Sequence, residues 1–232
     1  MLNGTIDQGM NTGDFMFYYA DIFVEGIQYG NRTTLCDNLQ QLQLNNASNE
    51  QIFWAMTKFG TDISGVNPPD YDAQLLSLEV IDPFSAGRPW TYQYCTEYGW
   101  FQTPSQVHPM RSEMLKPPYW YDMCSRVFKG LDMTNLPKAL QTTIDQGGFN
   151  IQGTNTFFTN GNEDPWQWAT QRENRPLLDQ VAETSNCTDC GHCAELYTPS
   201  ENDPAELKAT REHIHIWIDT LLETYHPTEF LQ

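Results

Sequence analysis

The 232-residue chain is short of positive charge: 12 lysines and arginines stand against 30 aspartates and glutamates, a formal net charge of −18. That deficit excludes a nucleic-acid binder, whose affinity rests on basic side chains neutralising phosphates. It also opposes docking on an anionic membrane. No stretch approaches the roughly 18 consecutive apolar residues that a membrane span requires. The opening Met1-Leu2-Asn3-Gly4-Thr5-Ile6-Asp7 has neither the basic nor the apolar region of a secretory leader. Internal repeats and low-complexity tracts are missing as well, so a repeat architecture is excluded.

What is present points to a folded body. The chain is long enough for one large or two small domains, and aromatics make up 13% of it, including seven tryptophans, which predicts an aromatic-rich core. Six cysteines (Cys36, Cys95, Cys124, Cys187, Cys190, Cys193) accompany Asn-x-Ser/Thr sequons at Asn3, Asn31, Asn46 and Asn186. Both fit an oxidising compartment, with the asparagines as glycosylation sites. The acid balance (pI near 4.4) fits an acidic or extracellular setting, where protonation relieves self-repulsion. The expected localisation is therefore the secretory pathway, lysosomal or vacuolar, or extracellular. A secretory body without a secretory start predicts an N-terminus internal to a longer precursor.

The first 86 residues read as helical. Phe15, Tyr18, Tyr19, Ile22, Phe23 and Ile27 recur at helical spacing, and Gly30 can stop that helix. Leu35, Leu39 and Leu42 continue the period in a second helix. Ser48-Asn49-Glu50-Gln51 is a capping box opening a third, which would bury Ile52, Phe53, Met56 and Phe59 before Gly60 ends it. Residues 61–89, rich in Pro, Asp, Ser and Gly, are expected to be a long connection and the domain boundary. Trp90-Thr91-Tyr92-Gln93-Tyr94-Cys95-Thr96 has β-favouring residues and predicts a strand. Asn155–Thr159 and Asp179–Ser185 predict two more. Asp203 and Pro204 open a last helix, with Leu207, Ile214, Trp217, Ile218, Leu221 and Tyr225 on one face.

Chemistry concentrates in two loops. Asn160-Gly161-Asn162-Glu163-Asp164-Pro165-Trp166 follows one predicted strand, and Cys190-Gly191-His192-Cys193 follows the next. Strand, Asp loop, strand, His loop, helix is the order at the C-terminal end of an α/β-hydrolase sheet, where the triad runs Ser…Asp…His. The nucleophile elbow Gly-x-Ser-x-Gly does not occur, because no serine upstream of Asp164 is flanked by the two glycines. Cys190-Gly191-His192-Cys193 also permits a thiol–disulfide redox reading, but that needs a preceding strand and a long helix starting at the first cysteine. Pro199 follows too soon for that. Zinc would need a second, separated ligand pair, so no metal is expected. A disulfide among Cys187, Cys190 and Cys193 would fix the histidine loop. His213 and His215 are read as lying near the surface of the last helix, without a role.

These motifs resemble the serine peptidases that include lysosomal Pro-X carboxypeptidase, dipeptidyl peptidase II and thymus-specific serine protease. The resemblance is to their C-terminal half and spans nearly the whole chain. It is carried by Asp14-Phe15-Met16 through Ala20-Asp21 with Gln28-Tyr29-Gly30, and by Trp90-Thr91-Tyr92-Gln93-Tyr94-Cys95-Thr96-Glu97. Asn160-Gly161 with Asp164-Pro165-Trp166, and Gly191-His192 with Cys193-Ala194-Glu195-Leu196, complete it. It implies an α/β fold: the C-terminal half of an α/β-hydrolase sheet, residues 87–232, preceded by part of a helical cap (insertion) domain, residues 1–86.

The same resemblance implies a serine-type exopeptidase, of prolyl-preferring carboxypeptidase or dipeptidyl-peptidase class, that needs no cofactor. His192 would be the general base and Asp164 its orienting partner, since a serine hydroxyl is a poor nucleophile until an imidazole takes its proton. Trp166, Tyr92 and Glu97 would line the substrate cleft. Cys95 and Cys124, which flank a proline-rich segment, would be bridged. The pairing of Cys36, Cys187, Cys190 and Cys193 stays open. The partners implied are a peptide substrate and the missing N-terminal half or a second copy. A non-catalytic binding relative is the alternative, although nothing in a binder requires both Asp164 and His192.

Overall fold

The computed structural model describes residues 9–80, 83–134 and 140–225; of Tyr225 only the backbone is described. The elements run α1 (Thr12–Gln28), α2 (Arg32–Leu44), α3 (Asn49–Ser64), α4 (Ala73–Leu76), α5 (Gly87–Gln93), α6 (Pro117–Val127), α7 (Gln141–Gln146), β1 (Thr156–Gly161), β2 (Gln180–Ser185) and α8 (Ala205–Tyr225). Among the described residues, no helix is long and apolar enough to cross a membrane. The chain forms two compact units, Met1–Glu25 with Phe53–Gln146, and Gly26–Ile52 with Gly147–Gln232. The division therefore does not fall at residue 86. The expected connection over 61–89 instead carries the end of α3, a 3-10 turn at Pro68–Tyr71 and α4, and buries Tyr71, Ala73 and Leu76.

The first unit is helical around an aromatic core. Asn11 caps α1 by accepting from the Gly13 amide (2.8 Å), so Phe17, Tyr18 and Ile22 are delivered to the interior. Trp120 of α6 is 1% exposed and is met by Phe17 (4.8 Å, edge-on), Phe101 (5.7 Å, stacked) and Tyr94 (6.0 Å). Its indole donates to the Leu115 carbonyl. Buried Asp14 accepts two bonds from Arg126, one from the Tyr119 hydroxyl and one from the Ala73 amide, so its charge is compensated. Cys95 and Cys124 are bridged.

Residues 90–96 are a correction to the expected strand: they form α5 and a π-helical turn at Tyr94–Tyr98. Thr91, Tyr94 and Cys95 are the buried residues there, a three-to-four spacing, so helical burial overrides the β-favouring side chains. Gly60 is the second correction. It lies inside α3, and a Cβ there would stand 2.5 Å from Ile22 Cγ2, so the glycine permits α1 to approach rather than stopping the helix. The capping box of α3 is present: the Gln51 amide donates to Ser48 Oγ, and the Ser48 amide to Gln51 Oε1.

The second unit holds a two-stranded parallel sheet. β1 and β2 pair from Thr156↔Gln180 to Gly161↔Ser185, so both strands end level. α8 is fixed to β2 by a hydrogen-bonded chain from Ser185 Oγ through Thr210 to Glu183, and to β1 by Trp217 against Phe157. Leu207 is the buried anchor of its apolar face, whereas Ile218 is exposed. The Asp203 carboxylate does not serve as the expected cap of α8; it accepts from the Ser200 amide and pairs with Arg211.

Candidate active site

Both chemical loops leave the carboxyl ends of the paired strands, which brings distant residues together. Beyond Gly161, the Asn162 amide donates to the Ser185 carbonyl and the Glu163 amide to the Cys190 carbonyl. Asn162 Oδ1 accepts from the Cys187 amide, closing the contact in the other direction. The loops touch so closely that a Cβ on Gly161 would lie 2.2 Å from the Gly191 carbonyl oxygen. Only glycine fits that crossing.

Asp164 precedes a 3-10 turn (Pro165–Ala169), and its Oδ1 accepts from the Trp166 amide at 2.9 Å. Its Oδ2 lies 2.8 Å from His192 Nδ1. An ionised carboxylate can only accept, so Nδ1 donates and the imidazole proton sits on the aspartate side. Nε2 is then the nitrogen able to take a proton from a hydroxyl. The carboxylate is buried, while the His192 side chain is 37% exposed, so the base can be reached by a reactant.

The histidine loop is stapled within itself. Cys187 bridges Cys190, and the pair packs on Leu207 with Ala194. Cys190 is thus not paired inside Cys190-Gly191-His192-Cys193, and the redox reading loses the bond it needs. Cys36 and Cys193 are free thiols. Burial and the carboxylates of Glu195 and Asp164 push the Cys193 thiol up, away from the thiolate form. Among the described residues, no group of three or more His, Cys, Asp or Glu could hold a metal ion.

The connection from α1 to α2 packs on these loops. The His192 amide donates to the Gln28 carbonyl (2.6 Å), and the Trp166 indole donates to Gln28 Oε1 (2.9 Å). Tyr29 lies edge-on to the His192 ring, with centroids 6.2 Å apart. Arg32 pairs with Glu163 at 2.8 Å, and Asp189 Oδ1 accepts from the Thr33 amide at the start of α2. The sequence presents Gln28 and Glu163 only as members of motifs, and assigns no role to them, to Arg32 or to Asp189. Their contacts are long-range, and no spacing along the chain announces them.

Of the candidate substrate residues, Trp166 stands beside Asp164. Tyr92 and Glu97 belong to the first unit, where they border a hollow of about 620 Å³ with Arg88 and Phe128. Asn46 and Asn186 are exposed; Asn31 is half-buried and its amide donates to the Tyr29 carbonyl. Asn3 lies outside the described residues.

Comparison with known proteins matches residues 22–214 to the serine carboxypeptidase S28 family. The probable serine protease EDA2 of Arabidopsis thaliana is 30% identical over 184 residues, 79% of this chain and 37% of that protein. Mouse thymus-specific serine protease is 27% identical over 143 residues, 61% of this chain and 27% of that protein. A probable extracellular serine carboxypeptidase of Arthroderma benhamiae is 31% identical over 86 residues, 35% of this chain and 12% of that protein. The chain thus spans about a third of the length of the first two relatives. No solved structure gives a significant match. With the Asp–x–Trp and Gly–His loops meeting at the strand ends and the family match covering most of its length, this chain belongs to the serine carboxypeptidase S28 family of serine peptidases.

Proposed function

We propose that this chain supplies the acid and base of a serine exopeptidase, with His192 as general base and Asp164 as the residue that orients it. The observation that carries the reading is the 2.8 Å contact between His192 Nδ1 and a buried Asp164 oxygen, made by two loops at the ends of parallel strands. The nucleophilic serine and the oxyanion donors belong to a segment not contained in these 232 residues. In the acylation step the serine Oγ–H proton passes to His192 Nε2 as the Oγ–carbonyl bond forms. The same proton then goes to the leaving amine as the peptide bond breaks. Asp164 stabilises the imidazolium formed in between and does not itself take the proton.

The proposed substrates are peptides with proline next to the scissile bond, cut as a carboxypeptidase or a dipeptidyl peptidase would. Trp166, beside the orienting aspartate, offers an aromatic face against which a pyrrolidine ring can pack. Tyr92 and Glu97 are proposed as further lining. Disulfides and exposed sequon asparagines support passage through the secretory pathway, with sugars on Asn46 and Asn186. In the complete, serine-bearing protein, Asp164→Asn should lower kcat about 10⁴-fold with KM little changed, because it presents the wrong imidazole tautomer. Prolyl dipeptide amides and carboxy-terminal Pro-X peptides distinguish the two modes of cleavage. Wild-type kcat in Asp164→Asn and in His192→Ala would remove the catalytic reading.

A further inference from the structure

We infer that Gln28 is a positioning residue for the Asp164–His192 pair, holding the aspartate loop and the histidine loop to one point of the α1–α2 connection. The inference rests on the catalytic reading of that pair. Gln28 is 5% exposed, and it touches both loops with different atoms. Its backbone carbonyl accepts from the His192 amide, which fixes the main chain that carries the imidazole. Its side-chain Oε1 accepts from the indole of Trp166, whose own amide is held by Asp164 Oδ1. One residue therefore ties both partners of the 2.8 Å Asp164–His192 bond, His192 by its own amide and Asp164 through Trp166.

The geometry around Gln28 leaves little slack. A Cβ at Gly191 would stand 2.1 Å from the Gln28 carbonyl oxygen, so the histidine loop approaches as near as a backbone can. Gly30 has φ +79°, a left-handed turn, and a Cβ there would stand 2.8 Å from the Asp189 carbonyl oxygen. Arg32 with Glu163, and the Thr33 amide with Asp189, repeat the pattern one turn later: one contact to each loop. Without Oε1, the half-buried indole N–H loses this hydrogen bond. Trp166 and the turn behind Asp164 can then shift while the main-chain tie to His192 remains. Reactive groups misplaced by about an ångström typically lose on the order of a hundredfold in rate.

Gln28→Met keeps length and removes the acceptor, whereas Gln28→Glu keeps an oxygen for the indole. In the complete protein labelled with ¹⁵N-histidine, the Nδ1 proton of His192 reports its bond to Asp164 directly. Gln28→Met should exchange that proton with water at least about tenfold faster and lower kcat by about ten- to a hundredfold at unchanged KM. Gln28→Glu should restore both. If Gln28→Met does not fold, Trp166→Phe removes the same bond from the donor side and should give the same faster exchange. A folded Gln28→Met, or in its place Trp166→Phe, with wild-type Nδ1 exchange would overturn the inference. Failure of the catalytic reading shows separately, as undiminished kcat in Asp164→Asn.

Discussion

Asp164 directs one oxygen at the Trp166 amide and the other at His192, so the carboxylate cannot rotate without breaking a bond. The residue after the histidine feels the same charge. Cys193 sits in a left-handed conformation (φ 52°) with its thiol partly buried near Glu195 and Asp164. Burial and these two carboxylates disfavour the thiolate, so its reaction with an alkylating agent should require higher pH than that of an ordinary thiol. Replacing Glu195 by glutamine removes one of the anions that raises the thiol. The pH midpoint for Cys193 alkylation, followed by peptide mapping, should therefore move down and the rate at mildly alkaline pH rise several-fold. An unchanged midpoint would mean that Glu195 does not help to raise the thiol, leaving burial and Asp164.

Among the elements, α5 with its π-helical turn depends most on a covalent tie. Cys95 in that turn is bridged to Cys124 of α6, across a separation of 29 residues. Closing a loop of that length is worth about 3–4 kcal/mol in the chain-entropy account. The double replacement Cys95→Ser/Cys124→Ser should therefore lower unfolding stability by about that amount in a denaturant titration. The same segment marks where the sequence was misleading. Trp90–Thr96 carries residues that favour strands, and only the burial of Thr91, Tyr94 and Cys95 against other parts of the first unit makes it helical. Where local signals were strong and complete, they were legible: the Ser48 capping box, and the two strands that deliver Asp164 and His192. The Gln28 and Arg32 contacts were not, because they join residues more than a hundred positions apart. The division into units escaped too, since α1 and α3 each pass from one unit to the other.

Over the whole molecule, charge and strand pairing bear on what the chain can do by itself. The net charge of −18 favours solubility at neutral pH. Against it stand a two-stranded parallel sheet, an arrangement that in larger folds is flanked by further strands and covered on both faces, and exposed Ile216, Ile218 and Leu222 on α8. Asp164 and His192 can orient and accept a proton, yet none of the 232 residues forms a Gly-x-Ser-x-Gly elbow to donate one. The triad acts as a unit, and removing its nucleophile costs nearly as much as removing all three members. Expressed alone, the chain should not be labelled by a fluorophosphonate serine probe. Co-expression with an N-terminal segment bearing the elbow should bring labelling and raise the soluble yield, and His192→Ala in that pair should abolish the labelling again. Stoichiometric labelling of the lone 232-residue chain would instead identify one of its own serines as the nucleophile, and the assignment of the serine to a separate segment would have to be abandoned.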